Sequence, residues 1–340
     1  MGWPGARRLG VSPGAVPHVR GSDPARPLRS DAARGLPGDG ARQFTWDEEL
    51  GRWVWTTFRS FQWDLDWSNP DVLLEMLEVV FHLAALGVDV IRLDAVAFTW
   101  KRVGTDSQNQ PEAHLIAQAL RAAVAIAAPA TILLAEAIVG PAELVGYLGR
   151  HELARRECHI AYHNHLMVHT WSMVAMRDAA LATLALGRLP EPPPHTTWIT
   201  YVRCHDDIAW AVSDRDATAA GLDGWSHRRF LAAFHRGEFP GSWARGTPFS
   251  ANPATGDERT CGMTAALCGI TAAVESGDAG QLDEALARFR LLYAIAFGYG
   301  GIPLVYMGDE LAQPDDLSYL AHPHRTGDSR WRPPGVRRRA

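Results

Sequence analysis

The interior of the chain alternates between two spacings of apolar residues. Apolar side chains recur at every third or fourth position over Val72–Leu86, which predicts a helix, and Asn69 with Pro70 supplies a start signal for it. A mainly apolar, β-branched run over Asp89–Ala95, which finishes on the carboxylate of Asp94, then predicts a buried strand. This order of helix and strand recurs about five times, which predicts an α/β fold with a parallel sheet.

The remaining predicted elements follow the same alternation. Helices are predicted over 112–128, 141–148, 166–189 and 282–297, and strands over 131–137, 158–163, 197–203 and 302–307. A segment rich in glycine and aromatic residues, 213–262, separates the last two predicted strands.

Both ends of the chain differ from the interior. Residues 1–42 are dominated by Gly, Pro, Arg and Ala with almost no apolar periodicity, and 332–340 have the same character. Such sequence buries too little apolar surface to offset the entropy of ordering it. We therefore predict a folded domain over 43–331 and a disordered tail at 332–340. Residues 1–42 are either a disordered tail or the product of translation in the wrong frame of a GC-rich gene.

Composition and charge exclude several classes of protein. The chain is 47% hydrophobic and 21% charged with a formal net charge of -5, so nothing indicates nucleic-acid binding. No apolar stretch approaches the roughly 20 residues of a membrane span, and the N-terminus has no apolar core of a secretory signal. The cysteines form no C-x-x-C pair, which favours reduced thiols and a cytoplasmic location.

Three of the predicted strands end in acidic residues. Asp94 ends the first strand, Glu136 lies at the end of the second, and Asp206 follows the strand over 197–203. Enzymes built on parallel barrels hold their reacting groups at the carboxyl ends of the strands. Breaking an acetal bond requires two carboxyl groups, one on each side of it. The pattern therefore predicts a sugar-processing site that contains Asp94, Glu136 and Asp206.

The neighbours of these carboxylates suggest a role for each. Arg92 lies two residues before Asp94, on the same face of the strand, and a nearby cation favours the ionised carboxylate that a nucleophile needs. Apolar residues flank Glu136 and favour its protonated form, which suits a general acid and base. Asp206, beside His205, is predicted to hold sugar hydroxyls and to distort the sugar ring.

These segments carry a resemblance to a known family. Residues 87–98 (GVDVIRLDAVAF) resemble the nucleophile region of the α-amylase superfamily, glycoside hydrolase family 13, and 135–139 (AEAIV) resemble its acid/base region. Residues 201–208 (YVRCHDDI) resemble its region of the transition-state stabiliser. Shorter motifs resemble the amylosucrase subgroup, at 44–46, 53–58, 62–65, 109–114, 244–246, 252–257 and 307–310. The resemblance covers about residues 43–331.

The resemblance implies a fold and an activity. The fold would be a partial TIM (β/α)8 barrel, about strands 4–8, with 213–262 inserted as a lid subdomain between the last two strands. The activity would be retaining transfer of glucose from sucrose to an α-1,4-glucan through a covalent glucosyl-enzyme, without cofactor or metal. Beyond the nucleophile Asp94, the acid/base Glu136 and the stabiliser Asp206, it implies sugar or acceptor contacts for Arg92, His205 and Arg330. For Asp207 it implies a substrate-binding residue that supports the site or gates its pocket.

The chain also departs from the family pattern. Residues 1–42 resemble neither the N-terminal helical domain nor the first three barrel strands, and a C-terminal β-domain is not recognised. An open barrel leaves bare strand edges, so we expect the chain alone to be inactive, poorly soluble, or both. Sucrose hydrolase or phosphorylase activity, another glycosidase activity of the α-amylase family, and a non-catalytic carbohydrate-binding remnant remain alternatives. Acceptor, linkage and oligomeric state stay open.

Two clusters of ring side chains have a functional and a structural interpretation. His159, His163, His165 and His169 lie close in sequence, but their spacing fits no usual zinc pattern, so we predict helix-face or cavity histidines. The tryptophans at 46, 53, 55, 63 and 67 are either a platform for sugar rings or part of the core.

Overall fold

The computed structural model describes residues 18–19, 44–252, 256–323, 325 and 328–331. His18–Val19 form a short strand, and the rest of the predicted N-terminal segment 1–42 and the predicted tail 332–340 lie outside the described residues. The chain divides into two compact units. The first comprises Met1–Ala161 and Glu191–Thr197, and the second comprises Tyr162–Pro190 and Trp198–Ala340.

The elements alternate as the apolar pattern predicts. The helices and strands up to residue 162 are β1 (His18–Val19), β2 (Phe44–Asp47), β3 (Arg52–Trp55), α1 (Pro70–Ala85), β4 (Val90–Leu93), α2 (Pro111–Ala127), β5 (Ile132–Ala135), α3 (Pro141–Leu144) and β6 (Ile160–Tyr162). The later elements are α4 (Asn164–Met176), α5 (Ala180–Gly187), β7 (Thr197–Tyr201), β8 (Ile208–Ala209), α6 (Asp214–Ala219), α7 (Gly224–His235), β9 (Thr247–Phe249), β10 (Arg259–Cys261), α8 (Thr264–Cys268), α9 (Ile270–Ser276), α10 (Ala279–Gly298) and β11 (Ile302–Leu304).

Parallel pairing organises the first unit. β4 pairs with β5 so that Leu93 lies opposite Ala135, and β5 pairs in parallel with β6. α1 begins where the sequence predicts, because the side chain of Asn69 accepts a hydrogen bond from the N–H of Asp71 and Pro70 occupies the first turn. Each observed strand is shorter than its prediction, so Asp94 and Glu136 lie just beyond the ends of β4 and β5.

The second unit contains a further parallel pair and a small antiparallel sheet. β7 pairs in parallel with β11, with Ile199 opposite Ile302. The segment 213–262 holds α6, α7, β9 and β10, and β10 lies between β8 and β9 in the antiparallel sheet. The predicted long helix over 166–189 is two helices, because Arg177 adopts a left-handed conformation (φ 55°) that ends α4.

The tryptophans of the first unit have different environments. β3 pairs with both β1 and β2, and Trp55 packs against Phe44 in the small core of this sheet. Trp46 and Trp63 are exposed, so burial assigns Trp55 to the core and leaves those two accessible. Together with the parallel pairs, these elements give an α/β fold with parallel sheet, consistent with a partial TIM barrel as predicted.

No helix within the described residues combines the length and the apolar character that crossing a membrane requires.

Candidate functional site

The ends of β4 and β5 bring one arginine to two carboxylates. The guanidinium of Arg92 donates a hydrogen bond to Asp94 Oδ1, and Arg92 Nη2 lies 3.9 Å from Glu136 Oε2. The two acids differ in access, since the side chain of Asp94 is 75% exposed and that of Glu136 is 17% exposed. The predicted nucleophile is therefore open to a ligand, and the predicted acid/base group is half-buried beside it.

The backbone between the two strands fixes the position of Glu136. Ala95 adopts a left-handed conformation (φ 46°, ψ 38°), and its N–H donates to Glu136 Oε2 at 2.6 Å. The N–H of Glu136 donates to the carbonyl of Leu93, and the N–H of Val96 donates to the carbonyl of Glu136. Two hydrogen bonds thus join the loop after Asp94 to Glu136, and a third joins Glu136 to the end of β4. The role of Ala95 has no signal in the sequence, because it acts through its backbone.

The motif over 109–114 supports the loop that follows Asp94. The N–H of Asn109 donates to the carbonyl of Ala97 at 2.9 Å, and the hydroxyl of Tyr147 donates to Asn109 Oδ1 at 2.8 Å. His114 stacks on the ring of Tyr147 with ring centres 4.5 Å apart and lies 2.9 Å from Glu157 Oε2. Burial raises the pKa of the Tyr147 hydroxyl, so this group stays a neutral donor. The sequence did not single out Tyr147.

Lys101, the sole lysine in the chain, has a buried structural role in the same unit. Its ammonium lies 3.2 Å from Asp64 Oδ1 and donates to the hydroxyl of Thr57 at 2.8 Å. Asp64 Oδ2 also accepts hydrogen bonds from the N–H and the hydroxyl of Thr57. Burial lowers the pKa of Lys101, and the charge of Asp64 opposes that shift. This network connects the motifs at 53–58 and 62–65 to the region that follows β4.

In the second unit, Asp206 lies beside two basic residues. Its Oδ2 is 3.1 Å from Nε2 of His205, and its Oδ1 is 3.6 Å from Nη1 of Arg330. Arg330 also pairs with Asp328 at 2.8 Å and lies over the ring of Phe249. The structure thus brings together Asp206, His205 and Arg330, three of the residues singled out in the sequence.

Asp207 has a different environment from its neighbour. Its side chain is only 5% exposed, and Oδ2 accepts a hydrogen bond from Arg259 Nη1 at 3.0 Å. Burial raises the pKa of Asp207, and the guanidinium of Arg259 opposes that shift. The Asp207–Arg259 pair ties the loop after β7 to β10, and the predicted role of Asp207 in gating a pocket stays a prediction.

A buried arginine holds the backbone of this loop. Arg203 is 3% exposed, and its guanidinium donates to the carbonyls of Cys204, Asp206 and Gly262. It also lies over the ring of Tyr306, 4.7 Å from its centre. Sequence reasoning missed Arg203, although its position three residues before Asp206 parallels the placing of Arg92 before Asp94.

Three histidines of the cluster, His163, His165 and His169, are buried, as expected for cavity histidines, and His159 is partly buried. The ring centres of His165 and His169 lie 4.4 Å apart, and Nδ1 of His163 accepts the N–H of Leu166 at the start of α4. Burial lowers the pKa of both His163 and His169 to about 3, so these rings are neutral at physiological pH. Within the described residues, none of these histidines belongs to a group of three side chains that could hold a metal ion.

Comparison with known sequences places the chain among sugar-processing enzymes. Trehalose synthase/amylase TreS of Mycolicibacterium smegmatis is 34% identical over 165 residues, which is 48% of this chain and 28% of that protein. Glucosylglycerate phosphorylase of Escherichia coli K12 is 27% identical over 267 residues, 78% of this chain and 44% of that protein. The chain thus spans less than half the length of these curated relatives.

Comparison with solved structures supports the fold. Sucrose 6F-phosphate phosphorylase from Thermoanaerobacter thermosaccharolyticum matches with a TM-score of 0.66 at 20% identity, over 96% of this chain and 61% of that one. The relatives carry several different activities, so the finer resemblance to amylosucrases stays a prediction.

The family match is direct. Residues 31–207 match the family model described as alpha amylase, catalytic domain, and this span, more than half of the chain, contains Asp94, Glu136 and Asp206. The chain therefore belongs to the α-amylase family.

Proposed function

We propose that this chain carries out retaining α-glucosyl transfer through a covalent glucosyl-enzyme intermediate. The observation that carries the proposal is the pairing of Arg92 with Asp94 and its 3.9 Å approach to Glu136. A retaining mechanism needs two carboxyl groups about 5 Å apart, and two carboxylates that face one guanidinium suit that requirement.

Each carboxylate of the pair has one role. Asp94, which is well exposed, attacks the anomeric carbon, while Glu136 protonates the departing oxygen. Glu136 then removes a proton from the acceptor, which attacks the same carbon and releases Asp94. Arg92 holds the Asp94 carboxylate in place between turnovers through the hydrogen bond that it donates to Oδ1.

The resemblance to the family also assigns binding roles to four further residues. Asp206 and His205 hold hydroxyls of the transferred sugar, and hydrogen bonds that strengthen in the transition state lower the barrier. Arg330 contacts the acceptor, and Asp207 holds the loop through Arg259. In this proposal, the folded domain covers residues 43–331, and 213–262 act as a lid over the acceptor.

Sucrose is the proposed donor and an α-1,4-glucan the proposed acceptor, as in amylosucrases, because seven short motifs resemble that subgroup. Phosphate is the second candidate acceptor. The 27% identity to a glucosylglycerate phosphorylase over 267 residues supports it, and a cation such as Arg330 beside Asp206 suits a phosphate anion.

We place the protein in the cytoplasm, a location that its four free cysteines support.

The test is a product analysis on the full 340-residue chain. The chain is incubated with sucrose alone, with sucrose and a malto-oligosaccharide, and with sucrose and inorganic phosphate, and fructose, glucose, glucose 1-phosphate and glucan are measured. Fructose with glucan supports amylosucrase activity, glucose 1-phosphate supports the phosphorylase, and equal fructose and glucose indicate a hydrolase.

The absence of any release by a chain that melts cooperatively would overturn the proposal for this chain. Binding of glucan without turnover would then indicate a carbohydrate-binding remnant.

A further inference from the structure

The loop that follows β7 brings together a thiol, an imidazole and a carboxylate. The ligand atoms of Cys204, His205 and Asp206 all lie within 4.8 Å of one another. Within the part of the chain that the structure describes, no other three His, Cys, Asp or Glu side chains form such a group. Sulfur, imidazole nitrogen and carboxylate oxygen are the donors that zinc prefers in proteins. The sequence predicted no metal site, so this group is a new feature.

The distances suit a small tetrahedral cation. His205 Nε2 and Asp206 Oδ2 are 3.1 Å apart. A tetrahedral zinc with bonds of about 2.0–2.3 Å holds its donors roughly 3–4 Å from each other, so little movement is needed. The two carboxylate oxygens of Asp206 face different partners, since Oδ1 lies toward Arg330. A metal ion on Oδ2 therefore leaves the ion pair with Arg330 in place.

The backbone of the loop is held in this arrangement. Arg203 donates to the carbonyls of both Cys204 and Asp206, and Asp207 is fixed by Arg259. A site that is already ordered loses less conformational entropy when a ligand binds. The three consecutive donors are therefore presented by a backbone that is anchored on both sides.

The other cysteines are unsuited to compete for the metal. Cys158, Cys261 and Cys268 are buried, and burial raises the pKa of each thiol to about 12. They therefore stay protonated at neutral pH, and a metal ligand must be a thiolate. Cys204 is the partly exposed thiol of the four.

We propose that Cys204, His205 and Asp206 bind one thiophilic divalent cation, of which Zn²⁺ is the type, with water in the fourth position. The consequence for turnover rests on the proposed function. Because His205 and Asp206 are then bound to metal and unavailable to sugar hydroxyls, the cation is a reversible inhibitor that competes with the donor sugar.

Cobalt spectroscopy on the full chain tests the binding without reference to activity. Titration with Co²⁺ alone should give a sulfur-to-cobalt charge-transfer band and the intense visible bands of tetrahedral cobalt, saturating at one equivalent, and Zn²⁺ should displace them. Cys204→Ser should lose the charge-transfer band. Cys268→Ser, whose hydroxyl can replace the hydrogen bond of the thiol to Ala265, should keep it.

A parent chain without the charge-transfer band, or a band that survives in Cys204→Ser, overturns the proposal. His205→Gln guards against misfolding of the Cys204 variant, because it keeps the thiol. It should bind Co²⁺ at least ~10-fold more weakly. Unchanged affinity would remove the imidazole from the site and contradict the proposal.

Inhibition of turnover by Zn²⁺ is a second, separate test. In an active chain, Zn²⁺ should inhibit, EDTA should reverse the inhibition, and Cys204→Ser should need at least ~10-fold more Zn²⁺. Equal inhibition of the parent and Cys204→Ser would contradict the proposal. If the chain shows no turnover, the proposed function fails while the cobalt titration still decides the metal site, so the two failures are distinguishable.

Discussion

Arg92 and Arg203, two arginines near the ends of strands, contact different kinds of groups. Arg92 contacts side chains, namely the carboxylates of Asp94 and Glu136, and Asp94 remains largely exposed. Arg203 contacts main-chain carbonyls and is itself buried. Loss of Arg92 should therefore change charge at the reacting groups, whereas loss of Arg203 should change the shape of a loop. An arginine thus pairs with charged side chains in the first unit and holds the backbone of a loop in the second.

The largest effect should come from the carboxylate that Arg92 holds. Asp94→Asn keeps the size of the side chain but removes the proposed nucleophile, so turnover should fall at least ~1,000-fold. Asp89→Asn, the same change at the exposed start of the predicted strand, is the matched control and should keep parent activity. Fructose release from sucrose measures both. Activity of Asp94→Asn within tenfold of the parent would refute the assignment.

Exchanging each arginine for lysine tests whether Arg92 and Arg203 have these different roles. Arg203→Lys loses the fork that reaches several carbonyls, so the free energy of unfolding should fall by about 2–4 kcal/mol. Arg92→Lys should change it by less than ~1 kcal/mol, because Asp94 is exposed, yet should slow turnover about 100-fold. Urea unfolding and initial rates measure the two quantities. Equal destabilisation by both variants would contradict the distinction between the arginines.

Buried histidines make stability depend on pH. Burial lowers the pKa of His163, His169 and His235 to about 3, well below the ~6.5 of an unfolded chain. The unfolded chain then binds more protons, so stability is full above about pH 6.5 and falls as pH drops, by ~1.4 kcal/mol per unit for each histidine. Urea midpoints from pH 7.5 to 5 measure this slope.

The control for that slope is a matched pair of helical histidines. His169→Gln should reduce the slope by about one proton. His82→Gln, at an exposed position of α1, is the control for replacing a helical histidine by glutamine. A slope that is identical in the parent and His169→Gln would show that this ring does not stay neutral in the folded chain.

The smallest effect should concern acceptor use. Arg330→Gln keeps hydrogen-bonding ability but removes the charge near Asp206, so the acceptor KM should rise about 5- to 10-fold with little change in donor cleavage. Arg290→Gln, at an exposed position of α10, is the control. Rates over a range of malto-oligosaccharide and phosphate concentrations measure the effect. A change in donor cleavage alone would place Arg330 on the donor side.

The strands and the acids at their ends were predictable, because parallel strands draw on mainly apolar runs and a carboxylate ends such a run. The predicted burial was only partly right, since Val90 of β4 and Ile302 of β11 are exposed. The strand limits were less predictable: Asp89–Ala95 reads as one run, yet the paired part is only Val90–Leu93. The break between α4 and α5 was missed, because it depends on the left-handed backbone of Arg177 and apolar periodicity continues across it.

The charged side chains of the proposed site were singled out in the sequence, whereas the groups that position them were not. Ala95 acts through its N–H, and Arg203 acts on carbonyls, so neither leaves a pattern of residue types that sequence can show. Tyr147 supports Asn109 from 38 positions away, and only folding brings the two together. Contacts to main-chain atoms are thus the part of this site that is hardest to predict from the sequence.

The left-handed turn at Ala95 has a consequence for how this protein tolerates change. The donor that holds Glu136 belongs to the backbone, so most substitutions at position 95 would retain it, and proline alone would delete it. The conformation is nonetheless selective, since glycine or asparagine would adopt it readily while valine, isoleucine or threonine would strain it. The position of Glu136, the proposed acid/base group, therefore does not depend on the side chain at position 95 but does depend on the backbone conformation there. In a set of variants at position 95, function should therefore follow how readily each residue adopts the left-handed conformation, and not its polarity.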